Sequence, residues 1–197
     1  MSTSYFGAQT IEMIDGLRQD LLGILTVFWA RDVVGSITMT GSDNREQMVA
    51  KLVSIDSSTR DLITRIVALD DTGKGKRSFP ELLKLLEKES LTPSEIKHLH
   101  KQKKDFRAII NPLKTQHRNK NIGHIQTNAN TYSKYLNETV HFVHLIENAC
   151  VFLDTVTGEK IKYSLHVGSQ EALINLRSFE DTNPHPLSSA GVVPVGS

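Results

Sequence analysis

Leu113 to Gln126 reads LKTQHRNKNIGHIQ, and the way this stretch is parsed decides the fold. Arg118 and His124 have five residues between them, a spacing found nowhere else in the chain, and Asn119 follows the Arg directly. Residues six apart on a continuous α-helix point about 120° away from each other, so these two side chains converge only if the helix ends between them. Asn121 and Gly123 supply that end, because both tolerate left-handed or capping geometry. The stretch therefore predicts a long helix arriving, a polar break, and a second helix leaving.

Working back from it, Thr92-Pro93-Ser94-Glu95 opens the arriving helix, with Thr92 as cap, Pro93 at the first helical position and Glu95 completing a capping box. This helix is expected to run to Asn119 or Asn121 and to bend at Pro112, whose ring removes one hydrogen bond. Lys97, His98, His100, Lys101, Lys103, Lys104 and Arg107 make it the most basic part of the chain. Such a run is either a solvated face or a phosphate-binding strip leading toward Arg118, and Lys101, Lys103, Lys104 and Lys120 are the nucleic-acid-binding candidates. Phe79 to Glu89 is a short amphipathic helix with Pro80 in its first turn. Asp70 to Arg77, DDTGKGKR, reads as an exposed loop whose charges are costly to bury. It lacks the residue order of a phosphate loop. Thr72 and Lys74 stand where a calcium loop needs oxygen ligands, and Lys76 and Arg77 would repel the ion.

Two long helices come earlier. From about Ala8 to Met39 the apolar positions Ile11, Ile14, Leu17, Leu21, Ile24, Leu25, Phe28 and Trp29 recur at three and four. Trp29, Arg31 and Asp32 read as packing and pairing groups between helices. A second stripe, Met48, Leu52, Ile55, Leu62, Ile63, Ile66 and Leu69, marks a helix from about Arg45 to Leu69, with Ser42, Asp43 and Asn44 available as caps. On the other side, Asn128-Ala129-Asn130 breaks the chain before a fifth helix over about Thr131 to Leu153. His141, His144 and Glu147 recur along it every third residue, but no matching ligand set appears elsewhere, so they are read as ordinary helix side chains. Ile161 to Val167 alternates strictly, which predicts a short strand or hairpin, and Gly168 to Phe179 could form a last short helix, so a short C-terminal hairpin and a helix are the alternatives for this end of the domain. Residues 1–182 form one helical domain in this reading, and 183–197, rich in Pro, Ser and Gly, a flexible tail.

The 197 residues suffice for one core, and a net charge of +1 excludes a globally basic nucleic-acid binder, so any RNA contact is local. The single cysteine, Cys150, lies in an apolar helical pattern and is expected to be a buried thiol, which suits a reducing cytoplasm. The most apolar run, Leu21 to Ala30, is far shorter than the ~20 residues of a membrane span. No secretory signal is expected either, since Glu12 and Asp15 precede the first cation, Arg18.

An Arg-to-His pair at one of the several spacings such a motif permits arises about once by chance in a chain of this composition, so the context carries the reading. Metal-free RNA cleavage, the reaction implied by the family resemblance given below, would require removal of the 2′-hydroxyl proton, stabilisation of charge on the phosphorane and a proton for the leaving oxygen. His124 suits the proton transfers at neutral pH. Arg118, planar and always charged, suits the phosphate. Asn119 can orient either of them. His117 belongs to the helix body and reads as a helix-end charge. One motif offers one His for two proton transfers; a two-fold dimer would bring two.

The arrangement Arg118-Asn119 with His124 resembles the motif of HEPN ribonucleases, and within them the abortive-infection group. The resemblance covers roughly Arg60 to Thr127, including Ala68-Leu69-Asp70-Asp71, the Gly-containing loop and Ser78-Phe79-Pro80-Glu81-Leu82-Leu83. Ala68 stands where many relatives carry Arg, and Gly123 where Ala is frequent. What the resemblance implies is an all-α, HEPN-like bundle of about five main helices, a homodimer with a composite cleft, and endoribonuclease activity on RNA needing no metal or cofactor. It also implies a toxin restrained by an antitoxin or regulatory protein. The competing expectations are a non-catalytic HEPN dimer that binds nucleic acid or scaffolds a partner, and an unrelated helical regulatory bundle.

Overall fold

Two helices begin with the same reciprocal device. The Asn44 side chain accepts from the Gln47 N–H at 2.9 Å, and the Asn44 N–H donates to Gln47 Oε1 at 3.0 Å. Thr92 and Glu95 repeat it, with the Thr92 N–H donating to Glu95 at 2.8 Å. Orphan N–H groups of the first turn are satisfied in both cases. These caps open α2 (Arg45–Ala68) and α4 (Pro93–Pro112). Between them lies α3 (Phe79–Leu86), capped by Ser78 and carrying Pro80 in its first turn. With α1 (Ala8–Ser36) and α5 (Thr139–Thr157) they make a packed five-helix, all-α bundle. The computed structural model describes residues 6–36, 44–73, 75–115, 139–166 and 173–177.

The bundle is built around α1, which packs against α2, α3 and α5. Its stripe Ile14, Leu17, Leu21, Ile24, Leu25 and Phe28 is buried, and from α2 it meets Leu62, Ile63, Ile66 and Val67. Phe79 of α3 stacks on Phe152 of α5 at 4.3 Å between ring centroids and meets Phe106 of α4 edge-on at 5.2 Å. Three helices are thereby keyed together at one aromatic cluster. Arg77 lies across α1 at Gly16, where a Cβ would come within 2.7 Å of its Cδ, and reaches Asp20 at 2.8 Å.

The groups between helices behave as their sequence suggested. Arg31 is buried, donates to Thr59 Oγ1 at 2.8 Å and stands 5.3 Å over the Phe142 ring. Trp29 donates its indole N–H to the Leu176 carbonyl at 2.6 Å. No helix among the described residues is long and apolar enough to cross a membrane.

One alternative is settled and one expectation is corrected. The segment that could form a last helix contains β2 (Leu173–Asn175), paired antiparallel with β1 (Ser164–His166) so that Leu165 faces Ile174. Its backbone groups find partners across the pair: the Leu176 N–H, just after β2, donates to the Tyr163 carbonyl at 2.8 Å. Asp70, placed by sequence in an exposed charged loop, is 1 % exposed. Arg107 of α4 and Lys114 just beyond it stand against it there, as described next.

Candidate functional site

Each seventh residue of α4 and its continuation, His100, Arg107 and Lys114, carries a basic group, and seven residues bring a helix back to nearly the same face. Each finds an acid on the preceding elements. His100 Nε2 lies 2.8 Å from Glu87. Arg107 donates to both oxygens of Asp70, at 2.8 and 2.9 Å through Nε, with its Nη2 a further 2.8 Å contact. Lys114 Nζ stands 3.8 Å from Asp70 and 3.9 Å from Asp71. The hydrogen bond to Asp70 holds the Arg107 proton and raises its pKa, against the opposing effect of burial. This stripe fastens α4 to the α2–α3 connection.

The fastening lies where the chain leaves α4. Pro112 cannot donate into the helix, and the backbone widens into a π-type turn over residues 113–115, with Leu113 buried and the Thr115 hydroxyl donating to the Asn111 carbonyl at 2.9 Å. The expected bend is thus a change of helical geometry. The expected continuation to Asn119 or Asn121 lies outside the described residues, as do Arg118, Asn119, Lys120 and His124. What the structure supplies is the anchored exit from which they follow.

The other cations of α4 divide into two groups. Lys97, Lys101 and Lys104 follow each other at four and three residues, are all exposed, and have no carboxylate within 4 Å among the described residues. Lys103 is half-buried and falls on the opposite side, nearer Leu99 and Ile110. The lysine strip read from sequence is therefore a face of Lys97, Lys101 and Lys104, from which Lys103 is excluded.

On α5, Glu147 is held by Arg177 at 2.8 and 3.1 Å, so it serves an ion pair. Asn148 donates to the His144 carbonyl at 2.8 Å, and among the described residues no cluster of His, Cys, Asp and Glu is arranged for a metal. Arg177 also reaches Asp154 at 2.7 Å, and its side chain is 4 % exposed. Burial opposes its charge, but the bonds to Glu147 and Asp154 outweigh that and raise its pKa. Cys150 is buried beside it, and desolvation pushes the thiol up to about 12. Sequence reasoning missed both arrangements. The seven-residue spacing of His100, Arg107 and Lys114 was a legible signal for the first; nothing in the sequence pointed Arg177 at α5.

Comparison with models of known families, with curated proteins and with solved structures gives no match.

Proposed function

We propose that the protein is a metal-independent endoribonuclease of the HEPN type, in which Arg118 and Asn119 hold the scissile phosphate and His124 moves protons. The observation that carries this reading is the Arg-Asn-x4-His arrangement set directly after a long helix whose end is pinned by Asp70, Arg107 and Lys114. A pinned helix end gives a reacting group a fixed point of departure, which catalysis by positioning requires. The exposed Lys97, Lys101 and Lys104 on the same helix supply cations for the RNA backbone. In this reading two copies share one cleft, so that two His124 side chains serve as base and acid, and the activity belongs to a toxin or phage-defence effector acting in the cytoplasm under a regulatory partner.

The lysine face by itself favours a second reading, a HEPN-like dimer that binds RNA without cutting it. One experiment separates them. Purified protein is incubated with mixed cellular RNA in EDTA, beside its Arg118→Ala and His124→Ala variants. The first reading predicts discrete fragments with 2′,3′-cyclic phosphate ends from the unmodified protein and none from either variant, with all thermal midpoints alike. RNA bound but uncut by all three proteins selects the second reading.

A further inference from the structure

Gly16 and Gly23 stand seven positions apart inside α1, which puts them on nearly the same face, about 10 Å from each other. Each is overlaid by an arginine. A Cβ at Gly16 would meet the Arg77 side chain, Cδ at 2.7 Å and Nη1 at 3.3 Å, and a Cβ at Gly23 would meet Arg65 Nη1 at 3.3 Å. Glycine inside a helix is less stable than alanine, so α1 gives up stability at the two places where an arginine lies down on its backbone. Arg77 starts over Gly16 and reaches Asp20, three residues before Gly23, so the two guanidinium groups end within about one helical turn of each other.

Both arginines border one cleft of about 250 Å³, lined besides by Asp20 and Ile24 of α1, Ala68 at the end of α2 and Leu69 after it. Ile24 and Leu69 are buried, so the ionic groups stand over an apolar base. Neither guanidinium is used up by its carboxylate. Arg65 gives only Nε to Asp61, at 2.9 Å to each oxygen, and Asp61 is not part of the lining. Arg77 gives only Nη2 to Asp20, at 2.8 Å. Both Nη groups of Arg65, and Nε and Nη1 of Arg77, make no further hydrogen bond among the described residues, and Asp20 keeps its Oδ2 outside that bond. Two cations thus face one anion across the cleft.

We propose that this cleft binds a phosphorylated sugar, with the phosphate between Arg65 and Arg77 and a sugar hydroxyl donating to Asp20. Three features select that ligand. Guanidinium forks with unspent N–H groups suit an anion that offers several oxygens in fixed directions. A bare phosphate would also meet the Asp20 carboxylate, whereas a hydroxyl carried beside the phosphate makes that carboxylate its acceptor. The volume, that of about eight waters, takes a phosphate and the sugar next to it, and leaves anything larger outside. A ribose phosphate has this chemistry, free or as one unit of an RNA strand. The inference uses neither Arg118 nor His124, so it and the proposed cleavage can each fail alone.

The test is calorimetric titration of the full chain at low ionic strength, with ribose 5-phosphate, inorganic phosphate and ribose as probes. Ribose 5-phosphate is expected to bind, inorganic phosphate at least about tenfold more weakly, and ribose not measurably. Arg65→Gln and Arg77→Gln should each weaken ribose 5-phosphate at least about tenfold, and Asp20→Ala should remove its advantage over inorganic phosphate. Gly23→Ala separates binding from folding. Its Cβ displaces the Arg65 guanidinium and weakens binding, while the helix gains propensity and the thermal midpoint holds or rises. Displacement of bound ribose 5-phosphate by a short single-stranded RNA would assign the sugar phosphate to an RNA strand, and its retention to a free small molecule. A chain that does not bind ribose 5-phosphate would overturn the proposal, as would binding that survives both arginine variants. Inorganic phosphate bound as tightly as ribose 5-phosphate would overturn the assignment of Asp20 to a sugar hydroxyl. None of these readings depends on whether RNA is cut.

Discussion

At the scale of single residues, the bundle buries most of its polar groups against a named partner, with Gln102 Oε1 and the Tyr163 hydroxyl as the exceptions among the described residues. Asp70 is accommodated in the interior because Arg107 grips both its oxygens and Lys114 stands behind them. The loop reading failed there for a definite reason. Sequence shows the cost of burying an aspartate but not the cations brought to it from 37 and 44 positions further along the chain. Cys150 illustrates burial that outweighs a favourable neighbour, since desolvation raises its pKa although the Arg177 guanidinium beside it acts the other way. An ordinary thiol ionises near 9.0, whereas this one is pushed up to about 12. Below pH 9 both folded and unfolded chains keep the proton, and the full contribution to stability is present. Between about 9 and 12 the unfolded chain loses the proton and the folded chain retains it, so stability falls by about 1.4 kcal/mol per pH unit from this group. Denaturation in urea at pH 8, 9.5 and 10.5 should show the unmodified protein losing stability faster than Cys150→Ser. Equal slopes would mean that the thiol reaches water.

At the scale of the element, α4 is the helix whose faces have separate duties. Its heptad-spaced cations point back at Glu87, Asp70 and Asp71, its apolar side holds Leu99, Phe106 and Ile110, and its outer side presents Lys97, Lys101 and Lys104. Counting basic residues along the sequence merged these faces; the 100° step of a helix separates them. Binding of a short single-stranded RNA, followed over a range of salt concentrations, should distinguish them. Neutralising Lys101 and Lys104 together is expected to reduce the slope of log affinity against log salt by roughly 1.4, two phosphate contacts on a single strand, and neutralising Lys103 to leave it unchanged. Equal effects at Lys103 would return the lysines to a single undivided strip. The start of α2 belongs to the same scale: its Asn44 cap and apolar stripe are those of a core helix, yet Met48, Val49, Leu52 and Val53 are exposed.

At the scale of the whole molecule, the segment after α5 ties distant parts together. Leu176 accepts from Trp29 of α1, while Arg177 binds Glu147 and Asp154 of α5 and reaches toward the Ile161 carbonyl at 3.4 Å. Two adjacent residues thus connect the first helix to the last. Arg177→Ala removes a buried cation from between two carboxylates and is expected to cost about 3 kcal/mol. For a chain of this length that corresponds to a fall in thermal midpoint of roughly 6 to 12 °C. A shift within 2 °C would show that the segment rests on the bundle without holding it.

The sequence by itself determined the helices. Local terms dominate there: three-and-four apolar spacing, the Asn44 and Thr92 caps, prolines in first turns, and Pro112 as the place where the regular geometry of α4 is interrupted. It also determined that Arg118, Asn119 and His124 stand together in the chain, which is all the candidate chemistry that one dimension can show. Among the described residues, only the tertiary structure decided which charges are neutralised, that Asp70 is buried, that Lys103 faces away from Lys101 and Lys104, and that β2 pairs with β1. Each of these depends on groups far apart in the chain meeting in space. An ion pair, a strand partner or a covering helix has no local signature; it exists only when both sides have arrived.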